Sequence, residues 1–357
     1  MKKSLLVLCI LLITGVILAA CAQPAPTAQQ PAAQQPAAKQ EAPKQDAAKA
    51  TGKPFRVAVV TPSAKNDHAF SESIYVAMEQ LQKEMGKDKF EYVISENLGN
   101  VSDAAAAMRD YASKGYDLIL GHGSQYGASV GEIAPDFPNV SFAWGTAVDT
   151  FESKGVKNVF AYTVAGREGA YAMGIAAAML SKSKTIGLVG PIPAGDGKLF
   201  IDGMQAGVKA TDPNAKVLVN YINSFGDVSL ASQAARTHID AGADIVAGTS
   251  QAMVGAVSVV KEKNVGWMGS QSDWASAAPK NVMASQVYDW TVAIKPIIQD
   301  IQNGTKGTKV YTLTMANKGL FVKFNPDYKD PIPDTVKQAV DKASKDIAAG
   351  TLKVPVQ

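Results

Sequence analysis

Cysteine is almost missing from this chain of 357 residues: only Cys9 and Cys21 occur. Cys9 lies in an apolar N-terminal run of the kind cut from exported proteins, so the mature chain has no thiol pair for a disulfide, and a thiolate metal site or cysteine nucleophile is excluded with it. Histidine is equally scarce, with three residues scattered and no zinc-spaced pair. Charge of one sign is lacking too. Lys and Arg number 35 against 32 Asp and Glu, a formal +3, whereas nucleic-acid binders concentrate cations to neutralise phosphates; no nucleic-acid partner is expected. No Gly-x-Ser-x-Gly elbow, Walker loop or dinucleotide fingerprint stands where a strand runs into a helix, so no cofactor and no metal is implied. An enzyme reading would have to rest on His68 and His122, both in loops after strands and able in principle to act as acid or base. Only Asp67, beside His68, offers either a neighbouring carboxylate in sequence.

What is present begins with Lys2 and Lys3, a nearly unbroken apolar run from Leu5 to Leu18, and the tetrapeptide Leu18-Ala19-Ala20-Cys21. The run is too short to span a bilayer comfortably and ends in small residues that suit a signal peptidase. It therefore reads as a signal peptide over residues 1–20. Leu-Ala-Ala-Cys resembles the lipobox of bacterial lipoproteins, which implies that Cys21 is acylated and anchors the protein to the membrane on its extracytoplasmic side; the alternative is an ordinary cleaved secretory peptide. Loss of Lys2 and Lys3 leaves 33 basic against 32 acidic side chains, a formal +1. Residues 21–54 are then mostly Ala, Gln, Pro and Lys, with prolines at 24, 26, 31, 36, 43 and 54. Such a stretch cannot bury a core, and it is expected to be a disordered tether reaching at most ~100 Å at about 3.1 Å per residue.

From Phe55 onward about 300 residues remain, enough for two lobes of ordinary size. Strands and helices alternate. Phe55–Thr61 is a Val-rich strand, and Phe70–Met85 a helix with Ile74, Met78, Leu81 and Met85 on one face. Tyr92–Ser95 reads as a strand, and a helix follows from Ser102, as N-cap, to Lys114, stopped by Gly115. Asp117–Gly121 is apolar enough for a parallel sheet covered on both faces. The order then recurs: Lys114–Ser124 (KGYDLILGHGS) is echoed by Ala241–Gln251 (AGADIVAGTSQ), the strand at Val57 by Ile186–Gly190, and the helix at Ser102 by Ser229–Ala241. Two Rossmann-like βα lobes in series imply a central cleft where the loops at the carboxyl ends of their strands face one another. The alternative is one large doubly wound domain. On the two-lobe reading, lobe 1 takes residues 55–165 plus about 288–308, and lobe 2 takes 166–287 plus about 309–357 with the C-terminal crossover.

Four stretches carry a family resemblance: Val59–Phe70 (VVTPSAKNDHAF), Gly166–Ala177 (GREGAYAMGIAA), Lys216–Asp227 (KVLVNYINSFGD) and Gly269–Asp273 (GSQSD). In order and spacing, the chain from Phe55 to about Phe324 resembles the basic membrane protein (BMP) family of lipoproteins, purine-nucleoside receptors that feed ABC importers and have the type I periplasmic-binding fold. The resemblance implies a solute-binding lipoprotein, monomeric, whose partners are a purine nucleobase or nucleoside and an ABC transporter permease. It places Asp67 and Phe70 in the first ligand loop and makes Phe225 the aromatic on the opposite face of the base. Two aromatics from opposite lobes suit a flat ring with two apolar faces, although Phe70 as the first apolar residue of an amphipathic helix would also fit ordinary core packing.

Polar groups must read the base edge, and Asn66, Asp67, Gln125, Gln251, Gln271 and Asp273 all follow expected strands. Loop Asp and Asn also serve as helix caps, a reading that applies most to Asp67 and Asp273. Tyr126, beside Gln125, and Trp144 and Trp274, at strand ends, complete the aromatic candidates; Trp267 is expected in the core. Nucleoside-binding members of the family show a Gly-x-Asp-x-Asp run and a lysine that holds the ribose. Here Gln271 and Tyr288 stand at those positions, which removes charge-assisted bonds to sugar hydroxyls and points to the free-nucleobase branch. A sugar-binding or adhesive lipoprotein on the same fold is the remaining alternative, and the scarcity of arginines near the expected cleft weighs against the sugar reading.

Overall fold

The structure, a computed structural model, describes residues 52–355. The expected signal peptide, Cys21 and the tether as far as residue 51 lie outside the described residues. In chain order the elements are β1 (Phe55–Val60), α1 (Phe70–Met85), β2 (Phe90–Ser95), α2 (Val101–Ser113), β3 (Leu118–Gly121), α3 (Gly127–Ile133), β4 (Ser141–Gly145) and β5 (Val159–Val164). There follow α4 (Gly166–Leu180), β6 (Thr185–Gly190), α5 (Gly195–Thr211), β7 (Lys216–Tyr221), α6 (Val228–Asp240), β8 (Ile245–Gly248), α7 (Met253–Lys263), β9 (Gly266–Gln271) and β10 (Val282–Tyr288). The chain closes with α8 (Thr291–Gln302), β11 (Val310–Leu313), β12 (Leu320–Phe324) and α9 (Asp334–Ala348).

Two six-stranded sheets result, ordered β2-β1-β3-β4-β5-β11 and β7-β6-β8-β9-β10-β12. All neighbours are parallel except β10 and β12, which run antiparallel. The strand order reverses between β1 and β3 in one sheet and between β6 and β8 in the other, the positions at which ligand crevices open in such sheets. Strand β3, Leu-Ile-Leu-Gly, is buried throughout, as a central parallel strand must be.

The sequence repeat has a local cause. Gly115 (φ 68°) and Gly242 (φ 97°) both adopt the left-handed conformation that stops α2 and α6, and in each case the next residue donates its N–H back into the helix, Tyr116 to Tyr111 O and Ala243 to His238 O. The aspartates that follow have parallel duties. Asp117 accepts the Arg56 N–H at 2.7 Å, and Asp244 accepts from Ser181 Oγ and from the N–H groups of Lys182 and Ser183. Each carboxylate thereby fixes the entry of the neighbouring strand.

Two boundaries differ from expectation. The N-cap of α2 is Asn100, whose side chain accepts from Ser102 N and Asp103 N, because the helix starts a residue before Ser102. The segment after residue 308, expected with the second lobe, first returns to the first sheet: Val310 to Leu313 pair with Ala161 to Val164, and the crossing is made between β11 and β12. Apolar side chains on one face of α9 (Val336, Val340, Ala343, Ile347) are buried, and the helix packs on α4. Helix α5 lies in backbone contact with α4. A Cβ added at Gly203 would meet the Arg167 backbone, and one at Gly207 would collide with Tyr171 O. This contact fixes the helix whose first turn reaches the cleft.

Candidate functional site

Loops at the carboxyl ends of both sheets enclose a cavity of about 110 Å³, several times one water's ~30 Å³ share of liquid. Phe70 and Gln125 reach it from the first sheet, and Asp196, Phe225, Gln251 and Gln271 from the second. Phe70 is held rigidly. Its ring stacks on His122 with centroids 3.8 Å apart and planes 10° from parallel, and the Trp290 edge meets it at 6.0 Å. His122 in turn donates Nε2–H to Phe70 O (3.0 Å) and accepts the Tyr162 hydroxyl at Nδ1 (2.8 Å). Burial lowers its pKa to about 3, so the ring is neutral. Phe225, in the loop between β7 and α6, leaves 46% of its surface exposed at the opposite wall.

Polar groups on the second-lobe side are sealed from solvent without partners: Asp196 Oδ2, Ser250 Oγ, Gln251 Oε1 and Gln271 Oε1. Each such group costs on the order of 1–3 kcal/mol unless something pairs with it. Ser250 (φ 136°), two residues past β8, and Gln271 (φ 80°), the last residue of β9, moreover hold left-handed backbone that side chains disfavour. Unpaired polar atoms and strained backbone at one cavity wall are the signature of a surface shaped for a ligand rather than for the fold's own stability.

Of the residues singled out from sequence, Phe70, Gln125, Phe225, Gln251 and Gln271 line the cavity. The others do not. Asn66 is exposed on the first loop. Asp67 is consumed in capping: Oδ1 accepts from Ala69 N and Glu72 N, and Oδ2 from Ser71 N and Ser63 Oγ. Tyr126 is buried and donates its hydroxyl to Leu98 O. Trp144 lies beneath the loop that carries Gln125, donating Nε1–H to Gly123 O and covering Gly127. Asp273 caps the turn at Trp274 through the Ala275 N–H and pairs with Lys323 at 2.7 Å. Trp274 is fully buried behind β9, donating Nε1–H to Ser270 O. Tyr288 is buried outside the cavity wall with its hydroxyl unpartnered; burial first, and the Asp196 charge second, hold its pKa well above the ordinary value.

Sequence reasoning missed Asp196, Ser250 and the Pro191–Ile192 wall. The signal was available in the repeat. If the strand at Val57 maps onto Ile186, the loop after it, which delivers Phe70, maps onto the loop of residues 191–194, which delivers Asp196 in the first turn of α5. The Asp196 side chain keeps partial solvent contact, yet the atoms crowded around its carboxyl push the pKa from 3.8 to about 7. His68, the other candidate base, lies 3.5 Å from Glu72 and beside Trp274.

A family model described as ABC transporter substrate-binding protein PnrA-like matches residues 55–357. A purine-binding protein of Brucella abortus is 27% identical over 276 residues, covering 77% of this chain and 76% of the relative. An ABC transporter nucleoside-binding protein of Lactococcus lactis is 25% identical over 320 residues, covering 84% and 89%. The solved structure of an ABC transporter solute-binding protein from Conexibacter woesei superposes with a TM-score of 0.70 at 24% identity, over 84% of this chain and 98% of that one. The shared architecture is the two-lobed type I periplasmic-binding fold.

Proposed function

The chain belongs to the family of PnrA-like ABC transporter substrate-binding proteins, and we propose that it is a lipid-anchored receptor of an importer that captures a purine, as free base or nucleoside, between its lobes. Proteins of this family work outside the cytoplasm and bind their solutes without converting them, so the chain is not an enzyme. The observation that carries the purine reading is the pair Phe70 and Phe225, aromatic walls brought to one cavity from opposite sheets. A planar ring with polar edges satisfies both kinds of surface there: its faces cover apolar carbon, and its edge meets the unpaired oxygens of Asp196, Gln251 and Gln271. The purine and nucleoside specificities named for the Brucella and Lactococcus relatives agree with this chemistry. Cys21 supplies the anchor and the Pro- and Gln-rich segment the leash. Titration calorimetry with adenine, guanine, hypoxanthine and their nucleosides, beside ribose and galactose, tests the assignment. Binding of sugars and of no purine sinks it.

A further inference from the structure

We infer that Asp196 is the specificity-determining residue of this cleft and that it selects purines presenting a ring N–H next to an exocyclic amino group, the guanine-type edge. The inference rests on the purine reading above and adds to it a choice among purines.

The glutamines at the wall are adaptable, since either end of an amide can be turned toward a ligand, as donor or as acceptor. A carboxyl has no such freedom, and its protonation state fixes what it recognises. Neutral, it donates one hydrogen bond and accepts another, which complements the N1 acceptor and N6 amino group of adenine. Ionised, it accepts two, which complements the N1–H and 2-amino group of guanine. The surroundings of Asp196 decide between these.

It occupies the first turn of α5, a helix of 17 residues whose N-terminal N–H groups favour an anion. Its Oδ2 lacks any partner. Of the charges on α4 and α5, Lys198 Nζ lies 2.6 Å from Asp202, Arg167 lies 3.8 Å from the same carboxylate with its Nε unpartnered, and Glu168 accepts the Met315 N–H. From β10 the group facing Asp196 is the Tyr288 hydroxyl, which stays protonated. What Asp196 lacks is a pair of donors, and bonds to an ionised acceptor are roughly twice as strong as neutral ones. Its pKa near 7 makes ionisation inexpensive at neutral pH, so the gain from two charge-assisted bonds exceeds the cost of releasing the proton.

The test compares ligands that differ only in the 2-amino group, guanine against hypoxanthine and guanosine against inosine, with adenine and adenosine as controls. Wild-type protein is expected to prefer the 2-amino member of each pair at least about tenfold, the worth of one hydrogen bond to a charged group. Asp196→Asn should erase that preference. Because only the ionised form accepts twice, guanine binding should tighten nearly tenfold between pH 6 and pH 8, and adenine binding should not. Equal binding within each pair, or a preference that survives Asp196→Asn, overturns the role of Asp196 and leaves purine capture standing. Failure of every purine to bind wild-type protein overturns both.

Discussion

Phe70 and His122 form a stacked pair with ring centroids 3.8 Å apart, and the histidine also hydrogen-bonds the Phe70 carbonyl. His122 is thus a positioning residue for the aromatic that borders the cavity, which accounts for a histidine in the loop after β3 without any acid–base role. His122→Ala removes a stacked partner and leaves the buried Tyr162 hydroxyl unpaired. A loss of about 2–4 kcal/mol in stability is expected, together with weaker purine binding, although His122 itself is screened from the cavity by Phe70. Denaturant melts and calorimetry on the one variant check both effects.

His122 and Asp196 have opposite linkage to pH. His122 is lowered from 6.5 to about 3, so below pH 6.5 the unfolded chain takes up a proton that the folded chain refuses, and stability falls with pH at up to about 1.4 kcal/mol per unit. Asp196 is raised from 3.8 to about 7, so between those values the folded chain keeps a proton the unfolded chain has lost, and stability falls as pH rises. The two offset one another over mildly acid pH in the ligand-free protein. Asp196→Asn should therefore be more stable than wild type at pH 8, by on the order of 1–3 kcal/mol, and should show a steeper loss on acidification. Equal stability of the two proteins at pH 8 would show that Asp196 ionises in the empty cleft without cost.

A side-chain hydrogen bond runs between the two lobes. Ser272, after β9, donates to Glu72 Oε1 on α1 at 3.1 Å, joining the second lobe to the first, whereas the Trp290 Nε1–H bond to Ser73 Oγ at 2.8 Å lies within the first lobe. With crossovers at residues 164–166, 288–291 and 313–320 as hinges, saturating purine should reduce the radius of gyration in small-angle scattering. Ser272→Ala, losing about 1 kcal/mol of interlobe bonding, should expand the ligand-free protein and enlarge the change on binding. A radius that ligand leaves unaltered would mean a rigid cleft.

The proposed membrane anchor is a thioether-linked lipid at Cys21. Cys21→Ala is expected to abolish lipid modification and to leave the protein as unprocessed precursor or release it from the membrane. Detergent partitioning distinguishes these states, and full membrane association of a correctly processed mutant would count against lipid anchoring.

The fold was legible because its signals are short-range and occur twice. The apolar strands at Val57, Leu118 and Ile186, the 3.6-residue periodicity of α1 and the glycine stops at Gly115 and Gly242 each follow from local chemistry, and their repetition gives two like sheets. The family resemblance read from Val59–Phe70 and Gly166–Ala177 agrees with the family match over residues 55–357. The cleft was less legible. A loop carboxylate such as Asp67 or Asp273 looks alike in sequence whether it caps a turn or faces a ligand, and only the geometry showed both engaged by backbone N–H groups. Asp196 gives no local signal, since a helix first turn ordinarily attracts an acidic residue; its lack of a partner is a three-dimensional fact. The path of β11 depended on a pairing with β5 almost 150 residues upstream, which no local pattern announces.

Phe225 gives the most direct test of ligand class. It is held on a loop whose Phe225 carbonyl accepts the Ala252 N–H, and its ring remains half exposed at the cavity wall, so truncation removes contact surface without opening a core. Loss of one stacking platform costs about 1–3 kcal/mol, so Phe225→Ala should weaken purine binding roughly ten- to a hundredfold with little change in stability. The loss should be similar for a base and its nucleoside, because stacking acts on the ring. Dependence on ribose should be small: Gln271 and Tyr288 stand where the resemblance to nucleoside-binding members implies a carboxylate and a lysine, and Tyr288 is buried outside the cavity. If nucleosides bind wild-type protein about a hundredfold tighter than every free base, a gap of roughly 2.7 kcal/mol, sugar contacts outweigh those substitutions and the protein is a nucleoside receptor. If Phe225→Ala binds purines as wild type does, the aromatic pair is not the ligand's seat.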